Sequence, residues 1–442
     1  MQLLQIARHV REQFPENGLF DGKDWRVSTR PFPLGEKLAG ELESLGRVLL
    51  QFYKASNLLY RHSLSGKQPS WVAEWLNRGK PAWLLELQQS AGFRNDLPRV
   101  IRPDILLTEN GISITELDSV PGGIGLTAWL NQAYANAPSA GWAIIGGAEG
   151  MIEGFDSIFG KAPTVQMVIS EESATYRPEM EWLTEQLNSH KGGRRFAVQY
   201  ADFSGWKEGD AIYRFFELFD IANVPSALPI FKAAEQGQVT LTPPPKSFFE
   251  EKMLFALLWN RNLRQFWRQD LGDSFLRRLQ SIVPQTWVMD PAPLPPQGAI
   301  PGLELTNWNE LKNLSQKERD LIIKISGFSE TAWGARSVSL GSDLSTAEWS
   351  DAVDRALKEF ETRPYVLQRY HKPKSVPSYW FDFASNSEVE MAGRVRLCPY
   401  YFVKGEGDNA RAQLCGVLAT ICPADKKIIH GMKDAVMAPC SV

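Results

Sequence analysis

Apolar residues recur at helical spacing through GEKLAGELESLGRVLLQFYKASNLLYRHSL, and SWVAEWLNRGKPAWLLELQQSAG repeats the pattern with a break. The chain to about Arg99 is therefore expected to be helical. The pattern then changes. VIRPDILL and ISITELD are strand-like runs flanking Glu109-Asn110-Gly111, a hairpin connection. Beyond Pro121-Gly122-Gly123-Ile124-Gly125, LTAWLNQAYANA reads as a helix. From Lys161 onward, PTVQMVIS, YRPEMEWLTEQLNSH, RRFAVQYAD and DAIYRFFELFD alternate strand with helix, which predicts a small parallel α/β unit. LTPPPK closes that unit by forcing an extended chain. A helical stretch, SFFEEKMLFALLWNRNLRQFW, follows. Next come the strand DLIIKIS, the loop GFSETAWGARSVSLG, the helix STAEWSDAVDRALKEFET and the strand PYVLQRYHKP. The remainder, including EVEMAGRVRLCPYYFV and RAQLCGVLATICP, is strand.

The hairpin carries charge among its apolar residues. A three-residue loop with Gly111 left-handed would set Asp104 opposite Glu116 and Arg102 opposite Asp118. All four would share one face, with Leu106 and Ile114 beside them. A two-residue Asn-Gly loop would shift the register by one and split the carboxylates between faces. Carboxylates gathered on one face repel one another unless positive charge stands between them. That charge is either a bound cation or ion pairs with Arg102 and another arginine.

Lys324 leaves an apolar strand into a loop holding Gly327, Ser329 and Gly334. A lysine followed by small residues suits phosphate oxygens, although the spacing is not that of the GxxxxGK[ST] loop. Gln368 and Tyr370 end the next strand, where an amide and backbone groups could meet an adenine edge. Arg394 and Arg396 alternate onto one face of MAGRVRLCPYYF and require anionic partners, either carboxylate or phosphate.

Composition narrows the classes. The 442 residues are 43% hydrophobic and 22% charged with formal net charge −3, so two or three lobes are expected and a nucleic-acid surface is not. No apolar run reaches membrane-spanning length and MQLLQIARHVREQF is no signal-peptide core, so a cytoplasmic location is expected. Cys398, Cys415, Cys422 and Cys440 sit in apolar strand contexts without a CxxC pair, which points to reduced, buried thiols. The histidines lack metal-ligand spacing, and no Ser-His-Asp arrangement is visible.

A lysine after a strand, a small-residue loop, a helix, a further strand and an arginine strand together resemble the nucleotide half of the ATP-grasp superfamily. Arg102-x-Asp104 and Glu116-x-Asp118 precede the lysines. That order is similar to the circularly permuted ATP-grasp group of glutathionylspermidine synthetase-like carboxylate–amine ligases. Asp118 stands where that family has Asn, adding negative charge.

The resemblance implies an α/β (α+β) fold in four parts: a helical region at 1–98, a permuted segment with the hairpin at 99–158, a small α/β, pre-ATP-grasp-like domain at 159–245, and a nucleotide-binding domain at 246–442. It implies that Asp104, Glu116 and Asp118 hold Mg²⁺, and that Arg102 with Arg396 or Arg394 stabilises the reacting groups. Lys252, Lys324, Gly327, Ser329 and Gly334 would meet the ATP phosphates, and Gln368 and Tyr370 the adenine. The implied activity joins a small carboxylate, such as an amino acid or peptide, to an amine or polyamine through an acyl phosphate, releasing ADP and phosphate. The alternatives are a nucleotide-binding regulatory protein without turnover and a phosphotransferase that stops at a phosphorylated product.

Overall fold

The structure is a computed structural model that describes residues 2–15, 19, 25–138, 141–190, 193–295, 298–332, 336–429 and 434–442. Helix α1 (Gln2–Glu12) precedes the short strands β1 (Arg26–Val27) and β2 (Phe32–Pro33) and the long helix α2 (Gly35–Leu64). Helices α3 (Ser70–Asn77) and α4 (Ala82–Gln89) lead to the hairpin strands β3 (Val100–Thr108) and β4 (Gly111–Asp118), then to α5 (Ile124–Ala135) and α6 (Gly150–Ser157). Strand and helix alternate through β5 (Thr164–Ile169), α7 (Arg177–Ser189), β6 (Arg195–Gln199), β7 (Ala211–Phe215), α8 (Ala227–Glu235) and β8 (Thr240–Thr242). Next come α9 (Met253–Trp259), α10 (Arg264–Ile282), β9 (Thr286–Val288), β10 (Leu321–Ile325), β11 (Ser339–Leu340), α11 (Thr346–Lys358) and β12 (Tyr365–Arg369). The chain closes on β13 (Ser375–Asp382), β14 (Ser387–Lys404), β15 (Arg411–Pro423) and β16 (Val436–Ser441). Among the described residues no helix is long and apolar enough to cross a membrane.

The chain divides into two compact units. One comprises Met1–Tyr53, Leu87–Pro245 and Pro373–Val442; the other comprises Lys54–Glu86 and Lys246–Lys372.

The first unit holds two sheets. The larger has the order β1-β16-β15-β14-β3-β4, with β13 also on β14 and β2 on β16. The smaller, β6-β5-β7-β8, is entirely parallel, as alternating strand and helix patterns imply. Helix α5 is buried on nearly every side, which its apolar LTAWL core permits. Helix α6 joins the two sheets: the Phe155 ring meets Phe402 of β14 edge-on at 6.0 Å and Tyr213 of β7 at 5.0 Å. Arg214, fully buried on β7, donates to the carbonyls of Phe216, Pro243 and Pro244 and so fixes the proline exit from the small sheet.

The second unit is built on the antiparallel sheet β11-β10-β12-β9. Helix α11 covers it, burying Trp349, Val353 and Ala356 with Leu321, Ile323 and Leu367. Its start is a capping box: Ser345 Oγ accepts from the Glu348 amide, and the Glu348 carboxylate from the Ser345 amide. SFFEEKMLFALLWNRNLRQFW is not one helix but two, separated by the turn at Arg261–Leu263, where the Asn260 side chain caps the Asn262 amide.

The hairpin turn differs from the expectation. Thr108 pairs with Gly111, so the loop is the two residues Glu109 and Asn110. The register then shifts between Ile105 and Asp104, where Thr115 stands without a counterpart as a β-bulge. Its hydroxyl donates to the Asp104 carbonyl at 3.3 Å. Past the bulge Asp104 faces Glu116 and Arg102 faces Asp118, the pairing expected from a longer turn.

Candidate functional site

The charged positions of β3 meet those of β14 because the two strands are neighbours, with Arg396 opposite Leu106 and Leu397 opposite Ile105. Arg102 bridges two carboxylates, at 3.2 Å from Asp104 and 3.0 Å from Asp118. Arg396 donates to the other Asp104 oxygen at 3.2 Å. The Cys398 thiol, two positions along β14, lies 3.4 Å from Asp104 Oδ1. Arg102 also donates to the Gly122 carbonyl at 3.2 Å, which accepts the Tyr400 hydroxyl at 2.8 Å. The cluster is thereby tied to the glycine turn before α5. Arg394 sits apart from it and donates to the Lys426 carbonyl at 2.9 Å.

Burial alone would favour loss of the Arg102 proton, but Asp104 and Asp118 overcome it and hold the guanidinium pKa well above the ordinary arginine value. Arg396 moves the same way: burial opposes the charge, and Asp104 outweighs it. Asp118 is raised, because desolvation exceeds the stabilisation by Arg102 and the Val120 amide. Burial pushes the Cys398 thiol up to about 12, with the Asp104 charge adding to it. Both guanidinium groups keep a buried Nε–H with no hydrogen-bond partner among the described residues. Such donors are costly to bury unmatched, by about 1–3 kcal/mol each, and mark where an anionic oxygen would be welcome.

The donor chemistry of Asp104, Glu116 and Asp118 suits a hard divalent cation. Their arrangement is another matter. Both Asp104 oxygens and both Asp118 oxygens already have partners, and Arg102 stands between the two groups. Among the described residues no group of three or more His, Cys, Asp or Glu side chains is placed to hold a metal ion. Of the three carboxylates, Asp104 is buried while Glu116 and Asp118 are half-buried.

In the second unit, β10 and β12 pair so that Lys324 and Gln368 share a face. Lys324 Nζ lies 3.2 Å from the Gln368 amide oxygen, and the Gln368 amide nitrogen donates to Thr286 at 3.1 Å. The residues expected at phosphate and at adenine therefore touch. Lys252 donates to the Ala332 carbonyl at 2.8 Å, across the loop that carries Gly327 and Ser329. The Ser329 hydroxyl is 3.1 Å from that of Thr331. Tyr370 follows β12, its amide bonded to the Asp320 carbonyl at 2.9 Å. Gly334 lies outside the described residues.

No family model and no curated protein matches the sequence. Solved structures do. A glutathione synthetase-like effector from Globodera pallida, in its apo form, superposes with a TM-score of 0.56 at 11% identity, over 100% of this chain and 96% of that one. The chain shares the fold of that glutathione synthetase-like effector. A putative gamma-glutamylcysteine synthetase from Methylobacillus flagellatus aligns at 11% identity over 89% of this chain and 87% of its own, with a TM-score of 0.42. D-cycloserine synthetase aligns at 13% identity over 63% of this chain and 92% of its own, at 0.30.

Within this glutathione synthetase-like fold, two features escaped the sequence reading. Cys398 follows Arg396 by two, so strand alternation alone places it on the arginine face. Its apolar context VRLCPYY concealed that. Glu251 lies in FFEEK beside Lys252, and its partner Lys80 is far away in the sequence, where no local pattern could join them.

Proposed function

We propose that the protein is a circularly permuted ATP-grasp ligase that joins a small carboxylate to an amine. The observation that carries this reading is the register of the hairpin against β14. It sets three carboxylates and two guanidinium groups together, each guanidinium with an unmatched buried Nε–H. A glutathione synthetase-like fold supports it.

In the reaction, a substrate carboxylate oxygen attacks the γ-phosphorus of ATP and ADP departs, leaving an acyl phosphate. An amine then attacks the acyl carbon, phosphate leaves with the C–O bonding pair, and the surplus amine proton passes to solvent. Phosphoryl transfer asks for charge neutralisation and positioning more than for a protein nucleophile. Arg102 and Arg396 would direct their unmatched donors at the reacting carboxylate and the transferred phosphoryl group. Lys252 and Lys324, with Gly327 and Ser329, would bind phosphates, and Gln368 and Tyr370 the adenine. Glu116 would hold Mg²⁺, with Asp118 and Asp104 joining where their guanidinium partners move aside. Bound there, the ion would neutralise phosphate oxygens.

The test is release of ADP and phosphate over pooled carboxylates and amines, with Glu116→Gln as the blank. Release of AMP and pyrophosphate, or equal turnover by the variant, would sink the reading. Full engagement of Asp104 by arginines and a thiol favours one rival, a nucleotide-binding protein without turnover. That rival predicts Mg-ATP binding and no ADP from any pool.

A further inference from the structure

The second unit contains an ion pair that the proposed chemistry does not use. Lys80 Nζ lies 2.6 Å from Glu251 Oε1, and each side chain is 1% exposed. A fully buried pair of this kind is weak evidence for stability, since apolar side chains of equal volume often serve as well. Its worth lies in what it orients. The second Glu251 oxygen accepts the Ser326 hydroxyl. Ser326 in turn holds the start of α9: its carbonyl accepts the Lys252 amide at 2.8 Å, and its hydroxyl oxygen accepts the Met253 amide at 3.0 Å. Gly327 comes so close that an added Cβ would lie 2.5 Å from the Glu250 carbonyl oxygen and 2.9 Å from the Glu251 carboxyl carbon. Lys80 also lies 5.5 Å from the Phe328 ring centroid.

The Lys80 end is anchored as well. Gly79, at φ +72°, packs against the Thr362 carbonyl with no room for a side chain, and Arg78 pairs with Glu361 while stacking on Phe360. The result is a chain of directional contacts from the 78–80 turn through Glu251 to the loop after β10. Lys324 lies two residues before Ser326, on β10, and Lys252 immediately follows Glu251.

We propose that Lys80 and Glu251 are positioning residues for a nucleotide-phosphate site formed by Lys252, Lys324 and the 326–329 loop. This rests on the nucleotide reading above and goes beyond it by assigning the charge pair that sets the lysines' spacing. Glu251 supplies the fixed acceptor that seats Ser326; Lys80 neutralises it, and for that reason is itself no phosphate ligand. An apolar pair would fill the space without fixing the angle of the loop.

The experiment compares Mg-ATP affinity, by calorimetry, in wild type, Lys80→Met, Glu251→Gln, the double variant and Ser326→Ala. Thermal unfolding without nucleotide reports the fold. Lys80→Met strands a buried carboxylate and is expected to weaken ATP binding by about thirtyfold. The double variant, neutral at both positions, is expected to recover to within about threefold of wild type. Ser326→Ala deletes one hydrogen bond and is expected to weaken binding roughly tenfold while remaining folded, which keeps the test decisive if Lys80→Met does not fold. Wild-type affinity in folded Lys80→Met or in Ser326→Ala overturns the inference. A double variant as weak as Lys80→Met overturns it too, because loss of ATP affinity would then not depend on the stranded charge. Failure of the wild type to bind Mg-ATP is a different result, and removes the nucleotide reading itself.

Discussion

The Cys398 thiol lies 3.4 Å from Asp104 Oδ1, on the same strand face as Arg396, which donates to the other oxygen of that carboxylate. A neutral thiol and two guanidinium groups thus surround one buried carboxylate; burial keeps the thiol protonated, and the Asp104 charge adds to that. Cys398 is held at about 12, Cys415 at about 11, and Cys440 well above its ordinary value, each mainly by burial.

A pH dependence follows. Thiols in the unfolded chain ionise near about pH 8.5, whereas these native thiols keep their protons. The unfolded state therefore binds fewer protons above that pH, and stability falls as pH rises from there toward 11 or 12. Urea midpoints at increasing pH should decline over this window, less steeply in Cys398→Ala. Native protein at pH 8 should leave a thiol reagent such as Ellman's unreacted, and urea should expose all four cysteines. A fast-reacting thiol in the native state would contradict the burial described.

Arg102→Met removes the bridge between Asp104 and Asp118, stranding Asp118 and leaving Asp104 with Arg396. Stability should drop by about 3 kcal/mol, since breaking a buried pair costs more than the pair is worth. Asp118 is already raised, so the native state takes up protons more readily than the unfolded state and gains stability as pH falls toward the ordinary carboxylate range. The variant should amplify that gain. Its denaturation midpoint is expected to approach wild type on acidification from pH 7 to about 4.5. A gap that stays constant with pH would show that the lost interaction is packing, not charge.

Glu116→Gln keeps size and removes one charge at a half-buried position. ADP release should fall about a hundredfold or more, with the unfolding midpoint changed little. Chelation of divalent ions should abolish release in the wild type, and added Mg²⁺ should restore it.

Gly122→Ala places a methyl group 2.2 Å from a ring carbon of Tyr176, in the turn whose carbonyl holds Arg102 and Tyr400. Overpacking of this kind should cost about 1–3 kcal/mol. Trimming the ring by Tyr176→Leu in the same chain should return part of that loss. An additive double variant, measured by denaturation, would mean that the turn moves away from Tyr176 without resistance.

Much of this arrangement was open to reading from local pattern. The runs VIRPDILL, PTVQMVIS and DLIIKIS form strands because their apolar residues can be buried whichever sheet receives them. The facing of Asp104 and Glu116 was also within reach, though by an incorrect route: ISITELD looks uniform, and nothing in it announces that Thr115 stands out of the ladder. Strand order escapes this kind of reading, since β14 lies between β15 and β3 by long-range packing. So does the Lys80–Glu251 pair, whose partners are neighbours only after folding.

The bulge at Thr115 gives the hairpin two independent frames. Glu109 and Asn110 set the frame of the apolar half next to the turn, and Thr115 resets it for the acidic half. The tip can therefore be rebuilt with other two-residue turns without moving a carboxylate. Removing Thr115 would leave Ile105 opposite Ile114 and Asp104 opposite Glu116, merging the two frames into one continuous ladder with the charges still in place.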